Sequence, residues 1–384
     1  MTVTPYSIFT ALLLCNIFII VIAFIQQCDS FIIRFSLVPF VLLIAAGIFR
    51  MIFFIEVPNT FVLGSDNIFP NVLNFLNTQL FTVYNTNIVM HTYDILIAVW
   101  VIGSIYSLTK YVYKSINLYR FVRYVPDTND TQIISCMNNI LVKTRNDKKV
   151  KIIQSEDISI PIIAGYFKPV ICLPNMDFSN NELENILLHE WTHFLHKDAW
   201  VKLFVYSISS LFWWNPFVHI LKKELNNILE IRCDLSITSK MDEKARIRYL
   251  KSIVKVMKAA CKSSLVQNIP MNCAALVSTN KLSKIEQRFY LVIGYDLHHN
   301  QRILPAFLLS ALILLSFLAS YKIAIQPRFL SPAESGYEET FTISPENSYL
   351  IVNENGTYSL YSDNEYRCDI EKIDEEPFSS LPIK

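Results

Sequence analysis

His189-Glu190-Trp191-Thr192-His193 lies inside the apolar-periodic run from Leu183 to Ala199, and its spacing decides how the chain is read. Residues four apart share one face of a helix, so His189 and His193 can present two imidazoles to one metal ion. Glu190 lies about 100° further round the same turn, within reach of a water on that metal. The pattern is that of a zinc-peptidase helix. Two solvated histidines on a surface helix would produce the same letters. The stretch Asn180 to Glu184 is expected to cap this helix and supply an acidic first turn.

A catalytic zinc takes three protein ligands and keeps one position open. Glu230, in the helical run from Leu221 to Ser239, is the expected third ligand after His189 and His193, although His196 is also within reach of His193. Asp234, one turn beyond Glu230, is placed to fix the tautomer of a ligand histidine, and Asp198 can do similar work or anchor its helix. Both are equally readable as ordinary helix charges.

The composition points to a membrane. Of 384 residues, 52% are hydrophobic and only 17% charged, below the roughly one quarter usual in soluble domains. Four stretches are long enough for transmembrane helices: Ile8–Ile25, Leu37–Ile55, Ile95–Val112 and Ile303–Ile325. The first has no basic residue before it and no small-residue cleavage site after it, so it reads as a retained anchor. Residues 56–94 lack Lys and Arg, whereas Lys110, Lys114, Arg120 and Arg123 crowd the end of the third stretch and Lys281, Lys284, Arg288 and Arg302 precede the fourth. Basic flanks stay cytoplasmic. Both termini are therefore expected outside, with the segment 113–302 in the cytoplasm. Lys322 and Arg328 weigh against this orientation. Arg50, inside the second stretch, needs a partner. The eight cysteines form no disulfide pattern, and the near-zero net charge gives no reason to expect direct nucleic-acid contact.

The expected organisation is mainly α: residues 1–112 with three transmembrane helices and an outer loop at 56–94, a cytoplasmic α+β zincin domain at 113–302, a fourth transmembrane helix at 303–325 and an acidic outer tail at 326–384. Within the cytoplasmic part, Val150–Gln154 and Ala164–Leu173 have strand composition. These could form an ordinary small sheet or offer an edge to an extended substrate. Residues 201–221 would pass for a fifth span, but a full crossing would separate His189 from Glu230. Asn215-Pro216 interrupts the helix there, so an interfacial or re-entrant hairpin in contact with lipid is expected. In the tail, Ser348–Val352 and Thr357–Tyr361 flank Asn353-Glu354-Asn355-Gly356 as a β-hairpin, too small to make its own core.

In order along the chain, Pro161-x-x-x-Gly165-x-x-x-Pro169, His189-Glu190-x-x-His193-x-x-x-x-Asp198, Trp213-Trp214-Asn215-Pro216-Phe217 and Glu230-x-x-Cys233-Asp234 resemble the BlaR/MecR-type family of membrane-embedded gluzincin metallopeptidases. The resemblance runs from about Met1 to Ile325. It implies a multi-pass protein of the bacterial cell membrane that senses something outside and cleaves a cytoplasmic protein, typically a transcriptional repressor. It implies one zinc ion held by His189, His193 and Glu230, with Glu190 activating water. It also implies a substrate-side edge strand beginning at Gly165, with Gly165, Tyr166, Phe167, Lys168, Pro169 and Val170 facing the substrate. β-Lactam sensors of this type carry a large C-terminal penicillin-binding domain with a Ser-x-x-Lys motif. The tail here has no such motif, so a different external ligand or peptide is expected. A constitutive quality-control protease of the HtpX type, or a non-catalytic scaffold with His196 closing the zinc site, are the rival expectations. Nothing in the sequence sets the oligomeric state.

Overall fold

A computed structural model describes residues 5–55, 57, 60–65, 68–82, 89–262, 281–294, 303–327, 343–345, 347–353, 357–370, 373 and 378–384. Its elements are α1 (Pro5–Ile25), α2 (Asp29–Phe35), α3 (Val38–Ile52), β1 (Phe61–Ser65), α4 (Ile68–Asn77), β2 (Gln79–Thr82), β3 (Val89–His91) and α5 (Thr92–Tyr124). There follow α6 (Thr131–Lys143), β4 (Lys151–Ser155), β5 (Ile162–Ala164), β6 (Val170–Pro174), α7 (Asn180–Leu195), α8 (Asp198–Leu211), α9 (Pro216–Thr238), α10 (Glu243–Lys262) and α11 (Lys281–Gly294). The last elements are α12 (Ile303–Ser320), β7 (Ile323–Pro327), β8 (Ser348–Val352), β9 (Tyr358–Ser362) and β10 (Glu365–Ile370). The chain divides into two units, one of residues 1–63 and 79–325, the other of residues 64–78 and 326–384.

Tyr6–Ile25, Thr92–Tyr124 and Ile303–Ser320 are long and apolar enough to cross a membrane. The expected second span is shorter than its apolar run. Helix α3 has 15 residues, about 22 Å of helix against a hydrocarbon core of about 30 Å. It ends before Phe53, where the Arg50 guanidinium folds back, donating from Nη1 to the Phe53 carbonyl (3.1 Å) and lying 4.5 Å from the centroid of the Tyr321 ring. The buried Arg50 guanidinium is thereby held by a carbonyl and an aromatic face. The fourth expected span is also shortened: α12 stops at Ser320, and residues 323–327 are strand rather than helix. The extended backbone is held by the Phe61 amide donating to the Lys322 carbonyl (2.7 Å) and the Ile325 amide donating to the Thr10 hydroxyl (3.0 Å). The third is longer than expected, since α5 runs unbroken for 33 residues past Val112 to Tyr124.

The stretch 201–221 does not form one helix. Helix α8 ends at Leu211 and α9 begins at Pro216, with Asn215 accepting from the Phe217 amide at 3.0 Å as its cap. Other elements pin this turn. Trp100 Nε1 and Ser104 Oγ of α5 donate to the Leu211 carbonyl at 2.7 and 3.2 Å, and Asn215 Nδ2 donates to Asn16 Oδ1 of α1 at 2.9 Å. The Leu211 carbonyl, left free at the end of α8, is thus satisfied inside the protein. The apolar faces of α1, α3, α8 and α9 meet in one core containing Ile19, Met51, Val205, Val218 and Leu221.

A three-stranded sheet has the order β4-β6-β5, with β4 parallel and β5 antiparallel to β6. This corrects the expected substrate strand. Val170–Pro174 is the central strand, with Val170–Cys172 paired on both sides and Leu173–Pro174 paired with β4 alone, and Gly165 to Pro169 join β5 to β6, so the outer strands are β4 and β5. Gly165 has φ +96°, and a Cβ there would stand 2.1 Å from the Lys168 carbonyl oxygen. Ile152, Ile163, Ile171 and Leu173 of the sheet pack with Leu183, Leu187 and Trp191 of α7, which seats the motif helix on the sheet.

In the second unit, β8 and β9 pair as expected, and a third strand, β10, extends the sheet in the order β10-β9-β8. Leu350, Leu360 and Leu381 form its small core, with the C-terminal residues running beside β8. The expected turn residues 354–356 lie outside the described residues, as does Arg302 of the basic flank before α12.

Gly165→Ala is expected to destabilise the detergent-purified protein by about 2 kcal/mol or more, because both the positive φ and the close carbonyl exclude a side chain. An unchanged thermal midpoint would contradict this reading of the turn.

Candidate metal centre

The cap of α7 lies one residue before the expected stretch, and the helix itself begins at Asn180. Ser179 is the N-cap, its hydroxyl accepting from the Glu182 amide (3.4 Å) while Glu182 Oε2 accepts from the Ser179 amide (2.9 Å). The helix buries His189, Glu190, Trp191, Thr192 and His193 together. It ends at His196, and Lys197, in the left-handed region at φ 58°, turns the chain sharply into α8. That turn brings Asp198 back beneath His193, where Oδ2 accepts from Nδ1 at 2.7 Å. His196 caps α7; the tightest group of ligand-capable side chains among the described residues is His189, His193 and Cys233, which leaves out both His196 and Glu230.

Helix α9 crosses α7 and presents Glu230, Cys233 and Asp234 on one face, the i, i+3, i+4 arrangement. The Nε2 atoms of His189 and His193 are 3.2 Å apart. Glu230 Oε2 lies 3.4 Å from His189 Nε2, and Oε1 lies 3.6 Å from His193 Nε2. A tetrahedral zinc with bonds of about 2.0–2.2 Å separates its ligands by about 3.3–3.5 Å, so these three side chains have the spacing that such an ion requires. Cys233 offers another donor, since its Sγ falls within 4.8 Å of a nitrogen of each histidine. It approaches His189 on the other side of the ring, 3.5 Å from Nδ1 and 3.4 Å from the His189 carbonyl.

The same Nδ1 has a closer partner. Tyr249 Oη lies 2.8 Å away and donates its own proton to Asp234 Oδ1 at 2.7 Å. With the hydroxyl proton committed to Asp234, Tyr249 accepts from Nδ1–H, which leaves Nε2 of His189 as the free lone pair. Asp234 therefore acts on His189 through an intermediate hydroxyl, at 3.5 Å from the ring nitrogen itself. Arg288 from α11 donates to Asp234 from Nε (2.5 Å) and Nη2 (2.8 Å), and its Nη1 stands 3.4 Å from Glu230 Oε2. Arg232 plays the matching part for Asp198, bonding Oδ1.

The charges respond to one another. Burial works against ionising Glu230, yet His193, His189 and Arg288 outweigh it and hold the carboxyl well below its ordinary range. Burial likewise disfavours charging His193, but Cys233, Glu230 and Asp198 raise it to about 10. The pocket therefore attracts positive charge between its donors, which a metal ion would supply in place of protons. Burial pushes Glu190 up, partly offset by the two histidines. Its Oε2 has no hydrogen-bond partner among the described residues, nor does Glu230 Oε2. Orphaned buried oxygens on two carboxylates beside this donor set fit a metal with its water.

The expected substrate residues are divided. Gly165, Tyr166 and Phe167 line a cleft of about 580 Å³ together with His193, Asp198, Trp200 and Lys202, whereas Lys168, Pro169 and Val170 do not line it. The sequence reading does not single out Tyr249, Arg232, Trp200 or Lys202, and Arg288 enters it only as a basic flank of the fourth apolar stretch. Arg232, two residues past Glu230, and Trp200 and Lys202, two and four past Asp198, lie near motifs, whereas Tyr249 carries no local pattern.

A buried pair of helix-borne histidines, a carboxylate from a crossing helix and apolar spans define a membrane protein with a candidate metallopeptidase centre. The chain belongs to the BlaR1 peptidase M56 family, whose model matches residues 1–292. It is 26% identical over 284 residues to the regulatory protein BlaR1 of Bacillus licheniformis, covering 70% of this chain and 46% of that protein. It is 25% identical over 295 residues to the methicillin resistance mecR1 protein of Staphylococcus aureus (strain Mu50 / ATCC 700699), covering 71% and 49%. The chain thus matches about half the length of these relatives. Family membership and the apolar helices indicate a membrane location.

Tyr249→Phe keeps the ring and removes one hydroxyl. Metal affinity of the full-length protein, measured by chelator competition, is expected to fall about 10–100-fold; unchanged affinity would mean that His189 is oriented without Tyr249.

Proposed function

We propose that this chain is a membrane-embedded zinc endopeptidase that transduces an external signal by cutting a cytoplasmic protein. The observation that carries the reading is the convergence of His189 Nε2, His193 Nε2 and the Glu230 carboxylate at 3.2–3.6 Å beside the buried Glu190. His189, His193 and Glu230 are the proposed zinc ligands. Cys233 is left out because its sulfur faces the side of His189 already engaged by Tyr249. Asp198 and the Tyr249–Asp234 pair orient the two imidazoles from behind.

When bound, zinc supplies a Lewis acid that polarises a carbonyl and acidifies water. Glu190 Oε2 takes the proton from the attacking water and passes it to the nitrogen of the departing amine. Burial of Glu190 removes competing solvent from that transfer. Residues 113–302 are proposed to face the cytoplasm and the tail beyond residue 325 to lie outside, following the basic flanks of the apolar helices. A repressor is the proposed substrate class, on the strength of relatives named as regulatory and resistance proteins.

Glu190→Gln is expected to keep full zinc content and lose at least about a hundredfold in peptide hydrolysis. Hydrolysis at the wild-type rate would remove Glu190 as the base. Glu230→Ala should lose zinc on gel filtration while Cys233→Ala keeps it. The reverse pattern would make sulfur the third ligand and favour a structural metal.

A further inference from the structure

We infer that Lys202 is a specificity residue, making the cleft beside the proposed zinc centre a receptor for an acidic side chain, Asp or Glu, of an extended polypeptide. The inference rests on the peptidase reading for what the cleft holds, but its geometry stands independently. Lys202 follows Asp198 by one turn of α8, so the face that supports His193 also carries this ammonium group into the cleft. The residue is 3% exposed. Among the described residues it forms no hydrogen bond or ion pair, although Glu190 feels its charge. An ammonium at the cleft wall with no hydrogen bond of its own is open to a charge-assisted bond from an incoming carboxylate.

The rest of the cleft has the same sign. Lys148 and Lys197 also line it, and Asp198 is its one acidic lining residue. Both oxygens of Asp198 are already engaged, by His193 and by Arg232. Three lysines therefore line the cleft against one acidic lining residue whose oxygens are already bonded. Lys148 lies over the Phe194 ring, and the buried Glu190 is the other carboxylate that feels Lys202. Tyr166, tilted, and Phe167, edge-on, pack against Trp200 with ring centroids 5.0 and 5.2 Å from it, forming an apolar wall for the stem of the bound side chain. Lys202 could instead stabilise the charge that develops on the scissile carbonyl. That role calls for one cation at the reacting atom, whereas a standing carboxylate accounts for all three lysines.

The test uses full-length protein in detergent, stripped of metal so that no peptide is cut. Two fluorescein-labelled nonapeptide pools, identical except for Glu or Gln at the centre, are titrated by fluorescence anisotropy. Wild type is expected to bind the Glu pool about 10–100-fold more tightly, the range of a charge-assisted hydrogen bond. Lys202→Met should bring that ratio close to one without weakening the Gln pool. Lys148→Gln at the exposed rim should lower the ratio a few-fold, which covers the case of a Lys202→Met protein that fails to fold. Equal binding of both pools by wild type, or an undiminished ratio in Lys202→Met, overturns the inference. So does a Lys202→Met protein that, reloaded with zinc, cuts Glu and Gln peptides more slowly by one common factor. A binding preference with no cleavage by the zinc-loaded wild type would refute the peptidase reading and leave the acidic receptor standing.

Discussion

The interior of this protein holds more carboxylate than an apolar core tolerates, and the surrounding structure answers that charge. Asp198, Glu190, Glu230 and Asp234 are all buried. An unpaired carboxylate in such a place would be penalised by several kcal/mol. Compensation comes from distant parts of the chain: Arg288 of α11 bonds Asp234 and approaches Glu230, Arg232 of α9 bonds Asp198, and Tyr249 of α10 joins Asp234 to His189. Five helices, α7 to α11, are therefore tied to one cluster of charge. Displacing any of them would leave a buried ion without its counter-charge, so the site and the helical frame define each other.

The arrangement also accounts for the direction in which each histidine faces. Asp198 and Tyr249 occupy the two Nδ1 atoms, and both Nε2 atoms point inward at Glu230. A donor set organised from behind loses little freedom when it closes on an ion. The cleft lies between the end of α7, the β5–β6 turn and the start of α8, where the proposed ligand His193 and its partner Asp198 line it. Helix α11, which carries Arg288, is the last described element before α12, an apolar helix long enough to cross a membrane. A shift of α11 would act directly on Asp234 and Glu230, and this gives the proposed signalling role a physical route.

Much of this was legible in the sequence where a local period or a capping rule applied. The motif helix, the α9 helix with Glu230 and Asp234 one turn apart, the break at Asn215-Pro216 and the β8–β9 pair all follow from spacing and turn chemistry. What failed was set by partners far away. The apolar runs near Arg50 and Ile325 overestimated two helices, because hydropathy does not register that Phe53, Lys322 and Ile325 use their backbone groups in side-chain caps and strand contacts. Strand composition located β6 but not its place at the centre of the sheet, since pairing order depends on which strands flank it. Tyr249 and Arg288 were illegible because a single tyrosine or arginine 60 or 54 residues from its partner leaves no pattern.

The central claim is a zinc ion held by two imidazoles and one carboxylate, and zinc K-edge X-ray absorption on the full-length, zinc-loaded protein tests it most directly. The account predicts only nitrogen and oxygen neighbours at about 2.0–2.2 Å, with histidine scattering from two rings. A sulfur neighbour at about 2.3 Å would place Cys233 on the metal and contradict the assignment of Glu230.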